Sequence, residues 1–135
     1  MKNFDVQGID LLVSREKAFA FIADPAQLPV WTSAFASVAK GRAAMRTPGG
    51  EVDIELGVQA SAEHGTVDWR MTFPGGSVAT AFSRVVEMGL EHCVYIFVLT
   101  PPPVPLELLE GALEAQSRTL AEELRKLKRI LEPRG

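Results

Sequence analysis

Residues 65–87, in the middle of the chain, read GTVDWRMTFPGGSVATAFSRVVE and carry the strongest indication of the fold. It contains two runs rich in β-branched and aromatic side chains, and the Pro74-Gly75-Gly76-Ser77 segment between them is typical of a turn. The stretch therefore predicts an antiparallel hairpin whose strands span about 65–73 and 77–87.

The same alternation of strand and turn continues on both sides of this hairpin. Turn-forming residues recur near positions 47–50, 61–65 and 88–91. They separate further predicted strands at about 41–46, 51–60 and 92–100. Successive hairpins of this kind predict an antiparallel meander.

The segments outside the meander predict helices. Residues 4–13 are expected to form a first strand, followed by two short helices that begin at Ser14 and Asp24. After three prolines at 101–103, leucines recur at spacings of three and four, which predicts one helix over about 105–132. Such a stripe also suits a coiled coil, but the sheet needs a cover and we favour packing against it.

The composition excludes several classes of protein. Hydrophobic residues make up 47% of the 135 positions and charged residues 23%, so we expect one globular domain over 1–135. The net charge of −3 argues against nucleic acid as a partner. With one cysteine and two histidines we expect no disulfide, no metal site and no cofactor. No apolar run is long enough for a membrane span or a signal peptide, so we expect no membrane insertion and a cytoplasmic location.

Hairpin register predicts which side chains share a face of the sheet. With a diglycine loop, the central hairpin places Trp69 opposite Phe82, and a four-residue loop in the next hairpin places Arg84 opposite Tyr95. Directly opposed residues lie on the same face. The predicted inner face is largely apolar and carries Val52, Ile54, Leu56, Val58, Val67, Trp69, Met71, Phe73, Val78, Phe82, Tyr95, Phe97 and Leu99.

Several short motifs, taken in order, resemble those of a known superfamily. They are Val13-Ser14 with Phe19 and Ile22, Asp24-Pro25 through Leu28-Pro29-Val30-Trp31, Gly65-Thr66-Val67-Asp68-Trp69, Arg84-Val85-Val86 and the helix from Leu124 to Leu131. The whole chain is similar to the helix-grip fold of the START-like, or SRPBCC, superfamily, and to its polyketide cyclase/dehydrase-like branch. The resemblance implies an α+β fold, in which a curved antiparallel sheet wraps around a long C-terminal helix and two short helices follow the first strand.

The resemblance also implies a function and the place where it resides. Proteins of this superfamily enclose an apolar cavity between sheet and C-terminal helix, which implies binding of a small hydrophobic molecule that is lipid-, polyketide- or aromatic-like. In the cyclase-like branch a histidine often follows the Gly-x-x-Asp segment. Trp69 occupies that position here, which argues against acid–base chemistry at this point.

Ten residues are candidates for the lining of this cavity. They are Trp31, Phe35, Trp69, Met71, Phe82, Arg84, Tyr95, Phe97, Leu113 and Gln116. Burying the guanidinium of Arg84 is costly unless it is paired, so it either binds a polar group of the ligand or extends to water at the sheet end. Gln116 interrupts the leucine stripe and either faces the cavity or lies at its periphery.

Two functions are compatible with these candidates. The first is a non-catalytic pocket for an apolar small molecule, which the apolar inner face and the scarcity of acid–base groups favour. The alternative is a cyclase/dehydratase-like enzyme, in which Arg84 polarises a carbonyl and Tyr95 donates a proton. A chaperone-adaptor role, known for another branch of the superfamily, is a third option.

The face opposite the cavity predicts a homodimer. On the last two strands of the meander this face is expected to carry Ala79, Ala81, Ser83, Val85, Val94, Ile96 and Val98. The strand at 92–100 is then apolar on both faces, which implies cover on both sides. A two-fold partner that buries Val94, Ile96 and Val98 would supply the second cover. A tolerated patch of small residues, or cover by N-terminal residues, is the alternative.

Overall fold

One antiparallel sheet of seven strands organises the molecule, whose structure is a computed structural model that describes residues 4–47, 50–100 and 112–132. The strands are β1 (Asp5–Leu11), β2 (Phe35–Ala39), β3 (Arg42–Thr47), β4 (Gly50–Ser61), β5 (Thr66–Thr72), β6 (Val78–Gly89) and β7 (His92–Leu99). Their order in the sheet is β1-β7-β6-β5-β4-β3-β2, so β1 pairs with the last strand and the others form a meander.

Two short helices and one long helix complete the fold. Helix α1 (Arg15–Ile22) and helix α2 (Leu28–Trp31) follow β1, with a single 3-10 turn at Pro25–Gln27 between them. Helix α3 (Ala112–Leu131) follows β7. The arrangement confirms the predicted α+β helix-grip fold. The predicted N-terminal part of the long helix, before position 112, lies outside the described residues.

The predicted start signals of the short helices are present as hydrogen bonds. The Ser14 hydroxyl accepts the backbone N–H of Lys17 at 3.2 Å, which satisfies one free donor of the first turn of α1. The Asp24 carboxylate accepts the N–H of Ala26 at 3.1 Å in the same way. None of the described helices is long and apolar enough to cross a membrane.

The leucine stripe of α3 packs inward. Leu120, Leu124, Leu127 and Leu131 are all buried and share one core with the inner face of the sheet. The stripe therefore covers the sheet of the same chain, and the competing coiled-coil interpretation is wrong for the described part of the helix.

Strand β2 was not among the predicted strands. It pairs with β3 through a tight turn at Lys40 and Gly41, both of which have positive φ, at 52° and 76°. Two left-handed residues in succession are typical of a two-residue hairpin loop, which matches the twist of the strands. The sequence signal was the lone Gly41, which is weaker than a diglycine or an Asn-Gly pair.

The predicted faces of β6 are wrong, because the central hairpin has a loop of three residues rather than two. The N–H of Phe73 donates to the carbonyl of Ser77 at 2.8 Å, which leaves residues 74–76 in the loop. Trp69 consequently pairs with Ala81 and not with Phe82. A slip of one residue exchanges the two faces of a strand.

The slip sends Phe82 and Arg84 to the outer face and brings small residues inside. Ser83 and Val85 are buried, at 6% and 1% exposure, whereas Phe82 is 44% exposed. A bulge between Glu87 and Gly89 then shifts the next register by one residue. The bulge cancels the slip, so the predicted inner-face positions of Tyr95, Phe97 and Leu99 on β7 are correct.

Gly65 joins the start of β5 to the middle of β6. Its φ is +73°, and a Cβ built on it would lie 2.3 Å from the carbonyl oxygen of Val85. The two backbones approach this closely because the N–H of Val85 donates to the Gly65 carbonyl at 2.8 Å. Only a residue without a side chain fits this contact without a backbone shift.

Candidate functional site

A cavity of about 380 Å³ lies between the inner face of the sheet, helix α3 and the segment that joins α2 to β2. This volume is within the range of small-molecule sites in proteins. The apolar part of the lining includes Leu28, Trp31, Phe35, Met45, Trp69, Met71, Phe73, Phe97, Leu99 and Leu120. Ala79 and Ala81 of β6 also line it, and their small size leaves the space that the larger side chains surround.

Aromatic rings form part of the cavity wall. Trp69 stacks on Phe97 with ring centroids 6.0 Å apart and an angle of 26° between the planes. Trp31 meets the edge of Tyr95 at 6.2 Å, and Tyr95 in turn contacts Phe97 at 6.3 Å. Trp69 and Phe97 thus form a stacked pair in the cavity wall, and Trp31 is connected to this pair through Tyr95.

Glu123 of α3 is the carboxylate of the described cavity lining. It is half-buried, and its Oε2 atom accepts two hydrogen bonds from Ser33, one from the backbone N–H at 2.5 Å and one from the hydroxyl at 3.0 Å. Burial raises the pKa of Glu123 above its ordinary value, and the Ser33 bonds and the charge of Lys126 offset this only in part.

Sequence reasoning missed Glu123, although a signal for it was present. The position lies seven residues after Gln116, three after Leu120 and four before Leu127, so it belongs to the stripe that faces the core. Glu123 thus interrupts the leucine stripe in the same way as Gln116 does. Its partner Ser33 is 90 residues away in the chain, which no periodicity reveals.

The segment that carries Ser33 is fixed from two sides. The Arg46 guanidinium donates from Nη1 to the Ser33 carbonyl at 2.9 Å, while Glu123 holds the N–H and hydroxyl of the same residue. The Arg46 N–H also donates to the carbonyl of Ala34 at 2.7 Å. Residues 32–34 are therefore a defined wall of the cavity, and Glu123 is part of what positions it.

The structure brings six of the ten candidate residues together. Trp31, Phe35, Trp69, Met71, Phe97 and Gln116 line the cavity. The side chain of Leu113 lies outside the described part of the chain. That these residues bind a ligand stays a prediction.

Tyr95 lies behind the cavity wall rather than in it. The residue is fully buried, and its hydroxyl lies near that of Ser83 without a well-aligned hydrogen bond. Burial raises the pKa of Tyr95 far above its ordinary value, which the Ser83 hydroxyl offsets only slightly. A phenol in this place keeps its proton and packs against Trp31 and Phe97.

Phe82 and Arg84 do not line the cavity, and the prediction that they do is wrong. Both lie on the outer face of β6 because of the three-residue loop. Arg84 is exposed and donates from Nε to the carbonyl of His64 at 3.1 Å. Its guanidinium cannot polarise a carbonyl in the cavity, on the opposite side of the sheet.

No protein-family model matches the sequence, and no curated protein matches it either. Solved structures do match the fold. A START superfamily protein from Mycobacterium smegmatis superposes with a TM-score of 0.73 at 14% sequence identity, over 96% of this chain and 97% of the other. For truncated norcoclaurine synthase from Thalictrum flavum the TM-score is 0.67 at 15% identity, over 98% and 94% of the chains.

An aromatase/cyclase, Zhui from Streptomyces sp. R1128, matches with a TM-score of 0.63 at 9% identity, over 95% of this chain and 90% of the other. Identities this low carry information about the fold alone. The matches nevertheless extend over nearly the whole length of both chains in each case. The chain therefore has the helix-grip fold of START superfamily proteins.

Proposed function

We propose that the protein binds a small, mainly apolar molecule in the cavity between the sheet and α3, without chemically changing it. The observation that carries this proposal is a cavity of about 380 Å³ with a mainly apolar lining, in which Trp69 and Phe97 form a stacked aromatic pair. An apolar molecule that leaves water for such a surface gains roughly 25 cal/mol per Å² of buried area. The stacked pair favours a flat, ring-containing ligand over a saturated chain.

The alternative is a cyclase/dehydratase-like enzyme, and two of the structural matches are enzymes by name. That alternative assigned roles to Arg84 and Tyr95. Arg84 lies on the outer face of the sheet, and the Tyr95 hydroxyl is sealed behind the wall. Without these two groups the described lining offers one acid–base side chain, Glu123, which favours binding over catalysis.

The experiment that tests binding uses N-phenyl-1-naphthylamine, an uncharged probe whose fluorescence rises in apolar surroundings. We expect saturable binding by the wild-type protein. The Ala81→Leu variant should lose most of the signal, because the larger side chain occupies part of the cavity that Ala81 lines. A matched pair of variants tests which face of the sheet binds the probe. Phe97→Leu, on the inner face, should weaken binding, and Phe82→Leu, on the outer face, should leave it unchanged. Absence of saturable binding would contradict the proposal.

A second proposal concerns the outer face of the sheet. Val98 pairs with Val6 on one side and with Phe82 on the other, which makes an apolar row across three strands. Val6 and Phe82 are 51% and 44% exposed, and exposed apolar rows are uncommon on monomers. We propose that a second copy of the chain covers Val94, Ile96 and Val98 together with this row, as a homodimer.

The composition of this surface differs from the sequence prediction. Ala79, Ala81, Ser83 and Val85 point inward, because of the one-residue slip of β6. Phe82 takes their place on the outer face. Sedimentation velocity at micromolar concentration tests the dimer, with Phe82→Glu as the variant that should dissociate it. A single species of 14.7 kDa for the wild-type protein would contradict it.

A further inference from the structure

Glu123 is a carboxylate in the cavity wall that forms no salt bridge with any residue in the described part of the chain. Both hydrogen bonds from Ser33 go to Oε2. No described residue donates a hydrogen bond to Oε1, and none forms a salt bridge with the carboxylate. Glu123 is part of the cavity lining, and its Oε1 accepts no hydrogen bond from a described residue.

The neighbouring charges do not neutralise this carboxylate. Lys126 and Glu122 lie on the same helix and act on it with opposite signs. Arg46, the other charged residue of the described lining, is exposed, and it bonds to the Ser33 carbonyl rather than to Glu123. A carboxylate that has lost part of its hydration is stabilised most by a donor that carries a positive charge.

The aromatic part of the lining suits the rest of such a ligand. The stacked rings of Trp69 and Phe97 line the cavity and suit a flat apolar body, and aromatic faces also attract cations through their quadrupole. The cavity thus combines an apolar wall with one negative group on helix α3, which lies opposite the sheet.

We propose that Glu123 binds the protonated amine of the ligand, so that the ligand class is an aryl-alkyl amine. The ring lies against Trp69 and Phe97, and the ammonium donates to Oε1 of Glu123. Ser33 acts as a positioning residue, because its two bonds to Oε2 hold the carboxylate with Oε1 free. This inference rests on the proposed binding function and adds the chemistry of the ligand to it.

The test compares three ligands with the same apolar body: 2-(naphthalen-1-yl)ethylamine, 2-(naphthalen-1-yl)ethanol and 1-naphthaleneacetate. Their affinities are measured at neutral pH by displacement of N-phenyl-1-naphthylamine and by calorimetry. We expect the amine to bind about tenfold more tightly than the alcohol, as for a hydrogen bond to a charged group, and the carboxylate to bind most weakly. The preference for the amine should also decrease when the pH is lowered through the pKa of Glu123.

The variant Glu123→Gln keeps an oxygen acceptor for Ser33 and removes the charge. It should abolish the preference for the amine over the alcohol. The control is Glu122→Gln, which removes a charge from the adjacent residue outside the cavity lining. If Glu123→Gln does not fold, the three-ligand comparison and its pH dependence on the wild-type protein decide the matter.

The possible failures are distinguishable. Equal affinities for amine and alcohol, or tightest binding of the carboxylate, would overturn the amine assignment and leave the binding function in place. Tight carboxylate binding that is lost in Arg46→Gln would identify Arg46 as the ligand's partner instead. Failure of the uncharged probe to bind at all would overturn the proposed function, and the inference with it.

Discussion

Substituting Gly65 by alanine tests whether the close contact between β5 and β6 supports the rest of the fold. The added Cβ would lie 2.3 Å from the Val85 carbonyl oxygen, whereas ordinary contact begins at 3.4 Å. The two backbones would have to separate by about 1 Å, in an interior packed as densely as an organic crystal. Val85 pairs with Tyr95, so the shift would extend to the residue behind the cavity wall.

The cost has two parts. Alanine in the left-handed region, which φ +73° requires, costs about 1–2 kcal/mol. Weakening of the hydrogen bond from Val85 to Gly65 costs about 1 kcal/mol more, with a further penalty for the displaced strand. We expect Gly65→Ala to lower the free energy of unfolding by about 3 kcal/mol, which corresponds to a Tm decrease of roughly 10 °C for a chain of this size.

Gly75→Ala is the matched control. Gly75 also has positive φ, at +94°, but nothing lies within 4 Å of its Cβ position, so only the backbone strain applies. Urea unfolding followed by the fluorescence of the buried Trp31 and Trp69 measures both variants. A loss of stability in Gly65→Ala no larger than in Gly75→Ala would refute the close contact as a source of stability.

The remaining predictions concern the register of β6 and two carboxylates. Val85→Thr should lower the free energy of unfolding by about 1–3 kcal/mol, because it buries an extra hydroxyl on the inner face. Val86→Thr, the same change on the outer face, should lower it by less than about 1 kcal/mol. If urea unfolding gives the reverse order, the register with a two-residue loop is the correct one. The raised pKa of Glu123 means that the folded state holds this proton more tightly, so the stability of the wild type relative to Glu123→Gln should fall as the pH rises from 4.5 through the raised pKa, and a flat difference would contradict the burial. The pKa of Glu132 is lowered, chiefly by its hydrogen bond with Lys128. Its stabilising effect should therefore be present above pH 4.5 and disappear as the pH falls through the lowered pKa. The difference in stability between wild type and Glu132→Gln, measured as a function of pH, checks this sign.

Interactions between residues close in the chain were predictable from the sequence. The caps at Ser14 and Asp24 depend on donors two or three residues away, and the structure contains both. The leucines of α3 recur with the helical repeat, and this spacing predicts a helix with one apolar side that can cover the sheet. The number and order of the hairpins from Gly50 onward followed from turn residues. These local signals together were enough to indicate the helix-grip fold.

The faces of β6 were not predictable in this way. Whether the loop contains Gly75 and Gly76 alone or also Pro74 changes little locally, yet it exchanges every side chain of the strand between core and solvent. The apolar pattern did not decide it, because Phe82 on one face and Val85 on the other both appear suited to a core. The bulge near Gly89 shifts the register back by one residue, so the predicted faces of β7 are correct although those of β6 are not.

The local elements, their order and the apolar character of the inner face follow from the sequence, because helical and strand repeats and turn residues act over a few positions. The tertiary structure alone decided the composition of the cavity. Phe82 and Arg84 lie outside the cavity because the central hairpin has one more loop residue than predicted. Glu123 is part of the cavity wall together with Ser33, which is 90 residues away in the chain. A half-buried carboxylate has the same sequence signature as a solvated one, since its burial and its pKa depend on which segments fold against it.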